Sequence, residues 1–150
     1  MAHTMKIVDI IASWKEDTQK FDDLNLDQES ARLINMHGKY IEWLSHERTI
    51  LRSLYIEKKR MILKLREYFL GSATDEDLQE IGRTPNPIKI LRNEANMYIE
   101  SDPIMTTLDS KIAIQEEKVE YLNSIVKGIT NRQFHIRDAI AWRKFLNGTA

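Results

Sequence analysis

Apolar residues recur along most of this chain at steps of three and four, and nowhere do they alternate over a useful length. That rhythm predicts helices and no sheet. Ile7, Ile10, Ile11 and Trp14 give a short first helix. Asn25, with Gln28 three residues on, reads as a capping box for a second helix. That helix runs to Phe69, with Gly38 its only weak former and Gly71 placed to end it. Its seam is Leu33, Met36, Tyr40, Leu44, Glu47, Leu51, Leu54, Lys58, Met61, Leu65 and Tyr68, a heptad-like series with two charges intruding. Trp43, Ile50 and Ile62 flank it. Glu47 and Lys58 are eleven residues apart on one helix, so each is expected to meet another helix or to snorkel.

Thr74-Asp75-Glu76-Asp77 predicts the start of a short helix that stops near Gly82. Thr84-Pro85-Asn86-Pro87 is a linker. Ile88, Leu91, Ala95 and Tyr98 suggest another short helix, and Asp102-Pro103 caps and starts the next. Leu108, Ile112, Gln115, Val119, Leu122, Val126 and Ile129 make a second seam. A last amphipathic stretch holds Phe134, Ile140 and Phe145 beside Arg132, Arg137, Arg143 and Lys144. The fold class is all-α: a long antiparallel helical hairpin with short flanking helices. It forms one domain over residues 1–150, with a basic long helix at 24–71, the linker at 84–87 and a helical oligomerisation half at 88–148. One hairpin leaves some of this apolar surface wet, so self-association is expected. Leu108, Ile112, Val119, Leu122, Val126, Ile129 and Phe145 are its expected contacts, because the earlier helix must keep its charged side free.

Composition narrows the chemistry. Among 150 residues there are 5 Gly and 3 Pro, which suits long helices. With no Cys there is no disulfide, thiolate metal site or thiol nucleophile, a usage that fits a reducing cytoplasm. No apolar run approaches the roughly 18 residues of a membrane span. Met1 to Lys6 lacks the apolar core of a signal peptide, and Met5 reads as the natural start. His3, His37, His46 and His135 have no metal-ligand spacing. Asp75, Glu76 and Asp77 are explained by the preference of a helix's first turn for acids. No phosphate-binding glycine loop, nucleophile elbow or Ser/His/Asp set appears, so neither catalysis nor a cofactor has a candidate.

Charge sharpens the picture most. Lys+Arg number 22 and Asp+Glu 23, a near balance that is broken locally. Arg48 to Arg66 carries Arg48, Arg52, Lys58, Lys59, Arg60, Lys64 and Arg66 against Glu57 alone. At about 100° per residue, Arg48, Arg52, Lys59 and Arg66 project within roughly 40° of each other, with Tyr55 among them. Lys58 points into the seam, and Arg60 and Lys64 point to another side. A solvated structural helix usually mixes signs, because i,i+4 pairs stabilise it. A basic stripe with an aromatic suits single-stranded nucleic acid, and all eight of these residues are candidate contacts. The other reading is a non-catalytic helical scaffold or adaptor whose stripe serves only acidic protein partners.

Several motifs, in their order and spacing, resemble the UvsY family of recombination mediators from large tailed bacteriophages. They are Ile11-Ala12-Ser13-Trp14-Lys15-Glu16-Asp17, Leu26-Asp27-Gln28-Glu29-Ser30 and His37-Gly38-Lys39-Tyr40. Arg66-Glu67-Tyr68-Phe69-Leu70-Gly71, Ser101-Asp102-Pro103, Asn131-Arg132-Gln133-Phe134 and Trp142-Arg143-Lys144-Phe145-Leu146-Asn147-Gly148 follow. The match is closer to marine-phage versions. Where the best-studied member carries Lys-Ala-Arg-Leu, this chain has Leu63-Lys64-Leu65-Arg66, which centres the implied contacts on Lys64 and Arg66. The resemblance implies a ring-like homo-oligomer of about six or seven subunits. It also implies that the chain binds single-stranded DNA, helps displace the phage single-strand-binding protein, and loads the RecA-like recombinase UvsX. Such a protein acts in recombination, repair and replication in the cytoplasm of the bacterial host, without catalysis, cofactor or membrane.

Overall fold

The computed structural model describes residues 3–22 and 24–148. Among them are five helices and no strand: α1 (Ile7–Gln19), α2 (Leu26–Leu70), α3 (Asp75–Ile81), α4 (Ala95–Ser101) and α5 (Pro103–Leu146). Two compact units share the long helices. One comprises Met1–Ile50 with Glu116–Ala150, the other Leu51–Gln115.

In the first unit α2 and α5 run antiparallel, since Glu29 pairs with Arg132 and Glu47 with Lys118. Their seams bury Leu33, Met36, Tyr40 and Leu44 with Val119, Leu122, Ile125 and Ile129. Ile10 of α1 is fully covered in the same unit. Trp14 meets Tyr40 edge-on at 5.6 Å and Phe21 at 6.2 Å. Asp17 then accepts hydrogen bonds from Tyr40 Oη at 2.7 Å and Lys39 Nζ at 3.1 Å. Burial pushes the Asp17 carboxyl up, but these hydrogen bonds and the Lys39 charge outweigh it and hold the group below its ordinary value. Burial, then Asp17, raises the Tyr40 phenol.

The seam charge Glu47 is fully buried and does meet another helix. Its Oε2 lies 3.4 Å from Lys118 Nζ and accepts from Thr4 Oγ1 at 2.9 Å, while Oε1 accepts from the Met5 backbone N–H at 2.9 Å. Lys118 also donates to Thr4 Oγ1 at 2.6 Å. At the other end of the unit Glu29, nearly fully buried, gathers Arg32, Arg132 and the Asp22 backbone N–H.

The second unit packs Leu65, Ile99 and Met105 together, with Met61, Ile62, Phe69 and Ile104 around them. α2 ends as its sequence predicts. Gly71 takes a left-handed conformation at φ 78° and the Ser72 N–H reaches back to the Glu67 carbonyl at 2.9 Å. Thr74 Oγ1 caps α3 by accepting from the Asp77 N–H, and Gly82, at φ 69°, closes it. Asp102 accepts from the Ile104 N–H at 2.9 Å, just ahead of Pro103 in the first helical position. The same carboxylate takes both ends of the Arg83 guanidinium, at 2.7 and 2.8 Å, and Arg83 also lies over the Tyr68 ring at 4.9 Å. This fork fastens the connection between α3 and α4 to the start of α5.

Two expected elements differ. The helix expected from Ile88 begins only at Ala95. Asn86 closes a local turn on Ile88, its amide donating to the Ile88 carbonyl at 2.9 Å, so that backbone group is engaged outside any helix. Ile88 and Leu91 are exposed. The last amphipathic stretch is not separate: Phe134, Ile140 and Phe145 continue α5.

Removing one member of a buried ion pair strands the other. Lys118→Met should therefore lower unfolding free energy by about 3 kcal/mol, whereas Glu47→Leu with Lys118→Met should cost less than Lys118→Met alone. Urea melts of the two variants measure this. Asp17 supplies a pH test with a definite sign. Its folded value is depressed, so its contribution is complete above the unfolded value of about 4 and is lost as pH falls through the folded value. The melting-temperature gap between the wild type and Asp17→Asn should narrow between about pH 5 and pH 3.

Candidate nucleic-acid interface

The basic run of α2 is sorted by what the other helices place beside it. In the first unit Arg48 is exposed and donates through Nη2 to Asn123 Oδ1 of α5 at 2.9 Å. The remaining seven candidates lie in the second unit.

Three of them face carboxylates. Lys58 Nζ lies 2.7 Å from Asp109 of α5, which places this seam charge against another helix, as its position suggests. Arg60 pairs with Glu80 of α3 at 2.6 Å. Lys64, half-buried, contacts the other oxygen of Glu80 and lies 3.9 Å from Asp77. The acids missing from this stretch of sequence are thus returned to it in space by α3 and α5. Asp77 and Glu80 stand three residues apart on α3 and share one side of it. Besides suiting the first turn, Asp77 neutralises a neighbour. The sequence carries part of the signal, since four acids at 74–81 follow five cations at 58–66.

The other cations differ. Arg66 donates to the amide oxygen of Asn96, just as Arg48 does to that of Asn123. Arg52 and Lys59 are exposed, and among the described residues no ion pair involves either of them or Arg48 or Arg66. Tyr55 is 39% exposed. Of the cations whose spacing predicts one projection, Arg48 in the first unit and Arg52, Lys59 and Arg66 in the second are, among the described residues, without a carboxylate partner. The anchoring amides of Asn96 and Asn123 had no distinguishing mark in the sequence.

The residues expected at subunit contacts are placed differently. Leu108, Ile112, Val119, Leu122 and Ile129 are buried within the chain's own units, and Val126 is half-buried. Of that set only Phe145 is exposed. Large apolar side chains that do reach the surface include Ile34, Ile41, Ile56 and Leu63 of α2. Among the described residues no group of three or more His, Cys, Asp or Glu could hold a metal ion, and no helix is long and apolar enough to cross a membrane.

The family model described as "Recombination, repair and ssDNA binding protein UvsY" matches residues 13–149. No curated protein matches the chain significantly in sequence. Solved structures do match in fold. Among them are crystal structures of the bacteriophage T4 recombination mediator protein UvsY in three lattices. Lattice type II has 17% identity and a TM-score of 0.80, covering 95% of this chain and 98% of that one. Lattice type IV, at 17% identity, gives 0.78 over 94% and 99%. Lattice type I, again at 17%, gives 0.76 over 91% and 98%.

Proposed function

The chain belongs to the UvsY family of recombination, repair and single-stranded-DNA-binding proteins, and from that premise we propose that it is a non-catalytic mediator. It loads the RecA-like recombinase UvsX onto single-stranded DNA covered by the phage single-strand-binding protein, in the cytoplasm of the bacterial host. The observation that carries the reading is the stripe: Arg52 and Lys59 are exposed without a carboxylate partner, and Arg48 and Arg66 are held by amides.

Held by amides, Arg48 and Arg66 keep their full charge toward a phosphate. Lys58, Arg60 and Lys64 would first have to give up Asp109, Glu80 and Asp77. The stripe reads phosphate, with Tyr55 offering one stacking surface, so it carries little sequence preference. One such site is weak. A ring-like homo-oligomer repeats it, and neighbouring sites then act at high effective concentration on one strand. The strand can leave stepwise, which suits handing it to a recombinase.

Because Leu108, Ile112, Val119, Leu122 and Ile129 use their surface inside the protomer, we place subunit contacts on exposed apolar positions instead. Ile34 and Ile41, one heptad apart on α2, are the strongest. The wild type should sediment as a multimer at micromolar concentration. Ile34→Glu with Ile41→Glu should sediment as a monomer with unchanged helicity. A monomeric wild type would remove the ring from the mechanism.

The stripe is tested by comparing two double variants. Arg52→Ala with Lys59→Ala should weaken binding to a mixed-base single strand and lower the log–log salt slope by about 0.7 for each phosphate that is no longer neutralised. Arg60→Ala with Lys64→Ala should change both much less, because those cations are already paired with acids. Titrations at two salt concentrations measure this, and equal effects from both pairs would contradict the assignment.

A further inference from the structure

Three helices of the second unit each give two residues, one turn apart, to a single cleft of about 230 Å³. They are Lys58 and Ile62 of α2, Asn96 and Glu100 of α4, and Met105 and Asp109 of α5. The four-residue step puts each pair on one side of its helix. Met105 is buried, and so is Ile99, which also lines the cleft, so its inner surface is apolar. Asn96 and Glu100 are exposed at its edge, and Lys58 and Asp109 pair with each other. We propose that this cleft takes one unpaired base of a single strand bound on the stripe, and that guanine is the base it favours. The proposal rests on the single-strand reading above and adds a base subsite to it.

One hydrogen bond ties the cleft to the stripe. Asn96 lines the cleft, and its Oδ1 accepts from Arg66 at 2.7 Å. At about 100° per residue, Ile62 projects between Lys58 and the stripe, roughly 20° from Tyr55 and roughly 40° from Arg66. A phosphate held by Arg66 therefore leaves its own nucleotide beside the cleft. The volume falls below the roughly 300–1,000 Å³ of a site for a drug-sized ligand, which suits a single base and excludes a folded partner.

The choice of base follows from the polar groups left open. Asn96 has its carbonyl engaged by Arg66, which leaves its amide N–H groups to donate. Among the described residues the Glu100 carboxylate makes no hydrogen bond or ion pair, so both of its oxygens can accept. A donor beside such a carboxylate matches the Watson–Crick edge of guanine. O6 accepts from Asn96, while N1–H and N2–H donate to the two Glu100 oxygens. Thymine offers N3–H to the carboxylate but sets O2 against its other oxygen. Cytosine and adenine set an unprotonated ring nitrogen there. Each of these mismatches leaves an acceptor facing an acceptor. Lys58 keeps its bond to Asp109 throughout and is not called on for phosphate. Glu94, at the N-cap of α4 and outside the cleft, is an ordinary surface acid and serves as the control.

The experiment titrates the full-length protein with three strands: oligo(dT), the same strand with one central guanine, and the same strand with hypoxanthine at that position. The guanine strand should bind about fivefold more tightly than oligo(dT). Hypoxanthine, which lacks the N2 amine, should fall between them. Glu100→Gln should bring the guanine-to-thymine ratio to about one, whatever the lost charge does to both affinities. Glu94→Gln removes the same charge and should keep the wild-type ratio. Equal binding of the guanine and thymine strands by the wild type would overturn the subsite and leave the stripe standing. So would a ratio that survives Glu100→Gln, or one lost equally in both variants. Free dGMP competing as well as the guanine strand would also overturn it, because the cleft would then serve a soluble nucleotide. A wild type that binds none of the strands would instead remove the single-strand reading on which the proposal rests.

Discussion

Glu47 and Lys118 set the first unit. Each sits on the apolar seam of a long helix, and neither can be buried alone, because an isolated charge in such a place is several kcal/mol less stable than in water. Only one register of α2 against α5 brings them together. Thr4 and the Met5 N–H complete the carboxylate's hydrogen bonds, so the segment before α1 is fixed by the same pair. Apolar seams alone tolerate slippage by a heptad, since each step presents a similar surface. A buried charge pair does not, and this is the best-attested use of polar groups in helical seams. Glu29 with Arg32 and Arg132 repeats the device further along the same helix pair.

In the second unit charge does different work. Lys58, Arg60 and Lys64 are matched by acids from α5 and α3, and their pairs are partly open to water. Such pairs add little stability each. Their consequence is to sort one basic segment into cations already satisfied and cations turned outward. Net charge over the segment therefore overstates the unpaired charge it presents to solvent.

Much of this organisation is legible in the sequence. The ends of α2 and α3 follow from Gly71, Thr74 and Gly82, whose conformations or hydrogen bonds only a few residue types supply. The seams follow from spacing, and of the two outcomes it leaves for Glu47 and Lys58 the structure takes contact with another helix over snorkelling. The start of α4 was not legible, because the Asn86 turn on Ile88 and the turn at 92–94 keep the preceding segment out of the helix against its apolar rhythm. The neutralisation of Lys64 and Arg60 was legible only as an acidic run lying near a basic one in sequence, since the pairing itself depends on α3 folding back, which neither segment encodes by itself.

The seam from Leu108 to Ile129 shows where periodicity stops being informative. A helix face with apolar residues every three or four positions requires a partner, yet the pattern is the same whether that partner is the chain's own helix or a neighbour's. The chain resolves the choice within each unit: α2 and α5 bury their seams against each other in the first, and Leu65 packs with Ile99 of α4 and Met105 of α5 in the second. What is left for a neighbour is the surface outside the seams, where apolar side chains stand singly among polar ones, as Ile34 and Ile41 do. Contacts of that kind bury less per subunit than a seam would. An assembly held by them draws its strength from the closure of many equivalent contacts rather than from any one. A strand bound across several subunits would strengthen each contact in turn, since binding and assembly are thermodynamically linked.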